Sequence, residues 1–331
     1  MWREALVILG LVGLGLGLFY ALIPVLCRPF WMLVLWPHYR FIIRGREHVP
    51  RTGAGLIAAN HESFLDGFLV TVALPRKAWF MIYAAYVNGP IVRHLVGQLR
   101  MIPVSASGPK SQRASINEAR SVLERGELFG IFPEAQLSRN GLPGPFLRGI
   151  ELILKGYEDV PVIPVAIDGM WGSNFTNSGG RFFKKPIQNW RRTVVVVFGP
   201  PLTKPVTAFS LRQAVREQGV IAYGLLQHPA PAETVDPSLP SLPGLTVSTA
   251  DFDNGVLRQV GWKPGTVGQA DRGVALRIVD EPGGKELGPD QDGHLEAMTS
   301  KIPVWTDTGY RARLDRDGFV SLGAKAFVTP T

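Results

Sequence analysis

Short apolar runs alternate with amphipathic stretches through the middle of this 331-residue chain. Five of the apolar runs have the length and content of buried strands: residues 56–59, 78–82, 128–132, 160–167 and 193–198. The intervening residues 64–74 and 111–125 place apolar side chains at helical spacing and predict helices. Strands that alternate with helices predict an α/β domain with a mixed sheet flanked by helices.

The amino-terminal segment has a different pattern. From Ala5 to Cys27 there are 23 residues without a charge, which is enough to cross the apolar core of a bilayer. A shorter apolar stretch follows, and its aromatic residues Trp31, Trp36 and Tyr39 suit a membrane interface. We therefore predict a membrane anchor over residues 1–40, either one spanning helix with an interfacial helix or a two-helix hairpin in one leaflet.

The residues that flank the anchor indicate its orientation. Arg40, Arg44 and Arg46 follow the apolar stretches directly, which favours a cytoplasmic membrane with the next domain facing the cytoplasm. A cleaved signal peptide would have a shorter apolar core and an Ala-x-Ala site, and no such site follows here.

The carboxyl-terminal part divides from the rest at a proline-rich segment. Residues 228–244 contain many prolines and little apolar periodicity, so they predict a linker between a domain at 41–227 and a second unit. Residues 245–331 alternate short strand-like segments with turns rich in Gly and Asp. They predict a small β-rich module.

Charge and cysteine content exclude several classes of protein. Residues 1–230 contain 25 Lys and Arg against 13 Asp and Glu, whereas residues 231–331 contain 10 against 14. A basic front part suits an anionic membrane or a phosphorylated substrate, and no nucleic-acid-binding signature accompanies it, so we expect no nucleic-acid partner. The single Cys27 cannot form an intrachain disulfide, and no residues have the spacing of zinc ligands, so we predict no metal site.

The first candidate for chemistry is the segment Asn-His-Glu-Ser-Phe-Leu-Asp at residues 60–66, which begins where a predicted strand ends. His61 lies five residues before Asp66, and a histidine beside a carboxylate can hold one imidazole tautomer and take a proton from an alcohol near neutral pH. The structural alternative is that Ser63 and Asp66 form the capping box of a helix and that His61 has no catalytic role.

This segment is followed by Phe-Pro-Glu-Ala-Gln-Leu-Ser-Arg at residues 132–139. The pair and its order resemble the lysophosphatidate acyltransferase family, whose members carry Asn-His-x-x-x-x-Asp and then Phe-Pro-Glu-Gly-Thr-Arg-Ser. The resemblance covers about residues 50–202. It implies that His61 is the general base that deprotonates a glycerol hydroxyl and that Asp66 orients it, with no acyl-enzyme and no cofactor.

The resemblance also implies contacts to the substrate phosphate and glycerol headgroup. Arg100 matches the family's phosphate-binding cation, and Glu134 matches its headgroup-binding glutamate. The family's Gly-Thr-Arg is Ala-Gln-Leu at residues 135–137, so Arg139 is the candidate for the missing cation, and Arg148 stands where the family often has lysine. The predicted substrate-binding residues are Asn60, Arg100, Glu134, Arg139 and Arg148.

The tail resembles a second family. Residues 265–287 and 308–319 resemble the late part of an adenylate-forming acyl-CoA or acyl-ACP synthetase. The ribose-binding aspartate of that family's Thr-Gly-Asp is Tyr310 here, and the glycine-rich ATP loop is absent from this sequence. We therefore expect residues 245–331 to be a remnant without ligase activity.

Together these features predict a membrane-bound O-acyltransferase. It would transfer an acyl chain from acyl-CoA or acyl-ACP to the free hydroxyl of a lysophospholipid, with 1-acylglycerol-3-phosphate giving phosphatidate. Two alternatives remain open. Some bacterial proteins join an acyltransferase to such a synthetase and re-acylate lysophosphatidylethanolamine, and the altered residues 135–137 are also compatible with a non-catalytic membrane scaffold.

Overall fold

The computed structural model describes residues 29–87, 99–104, 108–178, 191–226 and 263–325, with isolated positions elsewhere. The predicted linker at 228–244 and most of the predicted anchor run at 5–27 lie outside the described residues. Of the helices that the structure describes, none combines the length and the apolar content that a bilayer crossing needs.

Within the described residues, one mixed sheet of seven strands forms the centre of the protein. Its strands are β1 (Tyr39–Arg44), β2 (Gly55–Ala59), β3 (Ala78–Tyr83), β4 (Met101–Val104), β5 (Leu128–Ile131), β6 (Val162–Asp168) and β7 (Arg192–Phe198). They lie in the order β1-β7-β6-β2-β5-β3-β4. Strands β2 to β6 are parallel to one another, β7 is antiparallel to β6, and β1 is parallel to β7. The predicted mixed α/β fold is confirmed.

Helices cover both faces of this sheet. They are α1 (Asp66–Ala73), α2 (Pro109–Glu124), α3 (Gly149–Leu154) and α4 (Ala208–Leu225). Because successive side chains of a strand point to opposite faces, Ile57 and Ala59 of β2 pack with α1, whereas Leu56 and Ala58 pack with α2, α3 and α4. The two apolar clusters hold the sheet between two helical layers, so the loops that follow the strands start from a rigid base.

The parallel strands bring several chain segments to one edge of the sheet. Strands β2, β5 and β6 are neighbours and run in the same direction, so their carboxyl ends meet at that edge. Residues 60–66 follow β2, residues 132–139 follow β5, and Asp168 closes β6. Ligands of open α/β sheets commonly bind outside such carboxyl ends.

The residues just before β1 form a short helix that lies on the domain. Residues 29–35 are helical, and Trp31 stacks on Phe68 of α1 with ring centroids 3.9 Å apart. The interpretation of Tyr39 as a membrane-interface residue is wrong, because Tyr39 begins β1 and its side chain is buried in the core. Other apolar side chains of this helix, Phe30 and Leu33 among them, are exposed.

The carboxyl-terminal part is β-rich, as predicted. Its described strands are β8 (Leu245–Thr246), β9 (Phe252–Asp253), β10 (Arg258–Gln259), β11 (Gln269–Ala270), β12 (Val274–Val279), β13 (Asp292–Thr299), β14 (Thr306–Leu314) and β15 (Val320–Lys325), and the last four form an antiparallel sheet. We call residues 263–325 the C-terminal module. The module packs on α4, where Phe209 joins the module's apolar core and Val220 contacts Ala275 and Met298. Helix α4 thus belongs to the cores of both units.

Candidate active site

A tight turn between β2 and α1 brings His61 onto Asp66. The Nδ1 atom of His61 lies 2.9 Å from Oδ2 of Asp66. The same oxygen accepts the peptide N–H groups of Glu62 at 2.7 Å and Ser63 at 2.8 Å. The hydroxyl of Ser63 donates to the other carboxylate oxygen. These four donors fix the Asp66 carboxylate, which is fully buried.

This geometry selects one tautomer of the imidazole. A carboxylate only accepts hydrogen bonds, so Asp66 holds the His61 proton on Nδ1 and leaves Nε2 available to accept a proton. The His61 side chain is 22% exposed, so a substrate hydroxyl can reach it. Asp66 accepts the Ser63 peptide N–H, as in the predicted capping box, but the box itself is not formed, because the helix begins at Asp66 with Leu65 as its N-cap residue and without a side-chain cap.

The segment after β5 packs against the other side of His61. The ring of Phe132 stacks on the imidazole, with centroids 4.2 Å apart and an interplanar angle of 18°. Glu134 accepts the peptide N–H of His61 at 2.8 Å through Oε1 and that of Gly144 at 2.7 Å through Oε2. Burial raises the pKa of Glu134 from 4.5 to about 7, against the opposing effect of the two peptide donors. Glu134 therefore ties the His61 backbone to the loop that contains Gly144.

A further tie comes from Ser138, which the sequence analysis did not select. Its peptide N–H donates to the His61 carbonyl at 2.7 Å, and its hydroxyl donates to the Leu142 carbonyl at 2.8 Å. Ser138 closes the motif that resembles the acyltransferase family, and that position was the only local signal for its role. The His61 backbone is thus held at both its N–H and its C=O by the segment that follows β5.

The structure gives Asn60 a different role from the predicted one. Its amide Nδ2 donates to the Ile167 carbonyl at 3.0 Å, and its Oδ1 accepts the Ile167 peptide N–H at 2.8 Å. The side chain is buried. Because both ends of the amide bind the backbone of β6, Asn60 joins the carboxyl ends of β2 and β6 instead of facing a substrate.

Arg100, the predicted phosphate contact, lies away from His61. It precedes β4, and its carbonyl accepts the Phe80 peptide near the start of β3, so it belongs to the amino ends of the parallel strands. Its guanidinium donates to Glu127 at 2.6 Å and lies over the Trp79 ring at 5.7 Å. Because His61 follows the opposite, carboxyl end of β2, Arg100 is separated from it by the length of the strands. This correction removes Arg100 from the candidate site.

The two remaining predicted cations lie at the carboxyl edge. Arg139 directly follows Ser138, and its Nη1 donates to the side chain of Asn177 at 2.9 Å. Arg148 is exposed and pairs with Glu151 at 3.1 Å, just after a backbone bond from Leu147 to Pro133. Arg139 is therefore held beside the segment that binds His61, whereas Arg148 occupies the surface at the start of α3.

These features define a class of site. A buried carboxylate orients a partly exposed imidazole at the carboxyl end of a parallel strand, and the residues after β5 hold its backbone. Such a dyad can remove a proton from a hydroxyl and return it to a leaving group. The fold and the site therefore describe an α/β domain whose His61–Asp66 pair has the geometry of a general acid–base dyad.

Comparison with known proteins shows what this domain is similar to. The family model described as "Acyltransferase" matches residues 40–168. The chloroplastic 1-acyl-sn-glycerol-3-phosphate acyltransferase of Brassica napus is 25% identical over 136 residues, which cover 41% of this chain and 39% of that protein. The 1-acyl-sn-glycerol-3-phosphate acyltransferase of Bacillus subtilis strain 168 is 25% identical over 144 residues, covering 43% of this chain and 67% of that protein.

A solved structure is also similar. The crystal structure of the 1-acyl-sn-glycerophosphate acyltransferase of Thermotoga maritima has 22% sequence identity and a TM-score of 0.46, and it covers 60% of this chain and 77% of that one. The chain spans less than half the length of the first curated relatives that it matches. The range that matches the acyltransferase family model carries both His61 and Asp66. Residues 245–331 lie outside the range of the family model.

Proposed function

We propose that this protein transfers an acyl chain from a thioester donor, acyl-CoA or acyl-ACP, to the free hydroxyl of a lysophospholipid, with 1-acylglycerol-3-phosphate as the acceptor. The observation that carries the proposal is the contact between Nδ1 of His61 and Asp66 within an acyltransferase domain. The matched relatives, whose names describe the same reaction, support the choice of acceptor.

The proposed reaction is a direct displacement. Nε2 of His61 takes the proton from the acceptor hydroxyl as its oxygen forms a bond to the carbonyl carbon of the thioester. The carbon–sulfur bond then breaks, and the imidazolium gives its proton to the departing thiolate, so protons and electrons balance within one cycle. Asp66 stabilises the imidazolium between these steps, and a positioned base of this kind contributes about 10²–10⁴-fold to the rate.

The proposed headgroup contact is Arg139. It lies one residue from Ser138, whose peptide binds the His61 carbonyl, so its guanidinium occupies the same edge of the sheet as the base. A guanidinium offers a planar fork that matches two oxygens of a phosphate. Arg148 at the exposed start of α3 is a second, peripheral cation in this proposal.

Membrane attachment is also part of the proposal. The uncharged run at 5–27 supports it, as does the helix at 29–35, whose side chains Phe30, Leu33 and Val34 are exposed while Trp31 stacks on α1. This apolar surface adjoins the helix that begins with Asp66. A lysolipid and an acyl tail would then enter from the bilayer, with the domain on the cytoplasmic side.

The test is an acyl-transfer assay with the purified full chain in lipid nanodiscs. Lysophosphatidate and lysophosphatidylethanolamine are each offered with acyl-CoA and with acyl-ACP. We expect phosphatidate from lysophosphatidate, and a loss of about 10²–10⁴-fold in kcat for His61→Ala. The matched control is His38→Ala, which removes an exposed histidine from the turn before β1.

Each outcome decides between the open alternatives. Product from lysophosphatidylethanolamine alone replaces phosphatidate synthesis with lipid re-acylation. No product from any pair overturns the catalytic proposal and favours a membrane scaffold, whereas full activity in His61→Ala overturns the role of His61 as the base.

A further inference from the structure

A guanidinium from the C-terminal module reaches the turn that holds the proposed base. Arg272 lies between β11 and β12, and its Nη2 is 3.2 Å from Oε1 of Glu62. The same Nη2 also contacts Oδ1 of Asp168. Only 6% of each carboxylate side chain and 19% of the Arg272 side chain are exposed, so the three residues form a largely buried ionic cluster.

One of the two acids is next to His61 in the sequence, and the other is linked to a residue that is. Glu62 directly follows His61, and its peptide N–H donates to Oδ2 of Asp66 at 2.7 Å, the same oxygen that binds Nδ1 of His61. Asp168 directly follows Ile167, whose backbone is bound by the side chain of Asn60. A displacement of Glu62 or of the end of β6 therefore moves an immediate neighbour of the base.

Electrostatics make Arg272 the counter-charge of this cluster. Burial raises the pKa of Glu62 well above its usual range, the Arg272 guanidinium opposes that rise, and the nearby Asp168, Asp66 and Glu134 add to it. Burial would lower the pKa of Arg272, but Glu62 and Asp168 raise it above its ordinary value. Without the guanidinium, several carboxylates would face one another in a buried space, which is unfavourable.

The turn that carries Arg272 is itself fixed on α4. Nη2 of Arg216 donates to the carbonyls of Ala270 at 2.6 Å, Asp271 at 2.9 Å and Val274 at 2.8 Å. Arg216 is buried. The polypeptide on both sides of Arg272 is thus held by the helix that also packs on the catalytic sheet, so the guanidinium is presented in one place.

We propose that Arg272 is a positioning residue of the active site, and that the C-terminal module completes the site by placing this cation against Glu62 and Asp168. The inference rests on the proposed acyl transfer. Arg272 touches no reacting atom. It acts through Glu62, whose peptide N–H donates to the same Asp66 oxygen that binds His61. The C-terminal module would then contribute to the activity of the acyltransferase domain.

The test compares three variants of the full chain in the acyl-transfer assay. Arg272→Gln removes the cation, and Arg272→Lys keeps the charge but not the fork. The matched control is Arg277→Gln, because Arg277 also pairs with a buried acid of the module, Glu296 at 2.7 Å, away from His61. The imidazole 15N–1H NMR signal of His61, assigned by its loss in His61→Ala, reports the hydrogen bond to Asp66 independently of turnover.

We expect Arg272→Gln to lower kcat by about 100-fold while the KM for the lysolipid changes little, because the base is misplaced and not the headgroup contact. Arg272→Lys should recover part of this loss, and the His61 signal should shift in Arg272→Gln but not in Arg277→Gln. The inference is overturned if Arg272→Gln and Arg277→Gln give the same kcat and the same His61 signal. If Arg272→Gln does not fold, Arg272→Lys decides: a kcat below that of Arg277→Gln together with a shifted His61 signal supports the inference, and a kcat and signal equal to those of Arg277→Gln overturn it.

The NMR measurement separates this inference from the proposed function. If the wild-type chain transfers no acyl group, the proposed function fails. A His61 signal that depends on Arg272 would still establish the positioning contact.

Discussion

At the scale of single residues, Glu134 couples the site to pH. Burial raises its pKa from 4.5 to about 7. A carboxyl with a higher pKa in the folded than in the unfolded chain binds its proton preferentially when folded, so its stabilising contribution is complete below pH 4.5 and is lost as the pH rises through about 7. Glu134→Gln removes this titration. We expect the free energy of unfolding of the variant, relative to wild type, to rise by about 3 kcal/mol between about pH 4.5 and pH 8.

The measurement for Glu134 is denaturant unfolding of both proteins at several pH values. The variant also loses one acceptor for the Gly144 peptide, so the prediction concerns the change with pH and not the value at one pH. Glu118→Gln, on the exposed part of α2, is the control. A difference between Glu134→Gln and wild type that stays constant with pH would contradict the prediction.

The backbone conformation of Ala135 lowers the stability of the folded protein by a measurable amount. Its φ is +53°, in the left-handed region where a β-carbon costs about 1–2 kcal/mol. The family that the sequence resembles has glycine there. We expect Ala135→Gly to raise the free energy of unfolding by about 1 kcal/mol, measured by denaturant unfolding. As a control, Ala114→Gly in the exposed face of α2 should lower the free energy of unfolding by about 1 kcal/mol. A similar loss in Ala135→Gly would contradict the left-handed conformation of Ala135.

The parts of the site that the sequence predicted are those encoded locally. His61 and Asp66 lie five residues apart in one turn, so the spacing alone brings their side chains together. The pairing of Glu62 with Arg272 joins residues 210 positions apart, and no sequence pattern in either segment predicts it. Arg100 was misplaced for the related reason that sequence order does not show which end of a strand faces the site.

At the scale of elements, apolar periodicity predicted the strands that are covered by helices on both faces. It missed strand β1 at the edge of the sheet and helix α4, which packs on both the sheet and the C-terminal module. Strands β2, β3, β5, β6 and β7 are continuous apolar runs because helices cover both their faces. Strand β1 instead has the sequence Tyr-Arg-Phe-Ile-Ile-Arg and lies at the edge of the sheet. Because of its arginines, this segment resembles in sequence the charged residues that flank a membrane anchor.

Helix α4 was missed for a different reason. It buries polar side chains on the face that the C-terminal module covers, among them Arg212, Gln213 and Arg216. Gln213 and Arg216 donate to carbonyls of the module, and Arg212 donates to the Gly144 and Pro143 carbonyls of the loop that Glu134 binds. A sequence shows polarity but not what satisfies it, so a helix buried on both sides looks like one exposed on one side.

At the scale of the whole molecule, the boundary expected from composition does not separate two independent units. The proline-rich segment suggested a catalytic domain followed by a remnant joined by a linker. The described residues show that the module shares α4 with the domain, buries Arg212 beneath Gly318 and places Arg272 against Glu62. A linker in the sequence shows only that the chain is long enough to connect the two units. It does not show whether the units pack against each other.

This shared core predicts the effect of removing the module. A chain that ends at residue 244 exposes the polar and apolar side chains of α4 that now face the module, and it leaves Glu62 and Asp168 without their cation. Breaking a buried ion pair by removing one partner costs about 3–5 kcal/mol, so we expect the truncated chain to unfold at clearly lower denaturant concentration and to self-associate. Unfolding followed by circular dichroism, with size-exclusion chromatography, measures both effects, and the full chain should unfold in one transition because its two units share a helix. Arg277→Gln, which weakens the module without exposing α4, provides the comparison. A truncated chain that stays monomeric and unfolds at the wild-type denaturant concentration would show that the catalytic domain is complete without the module.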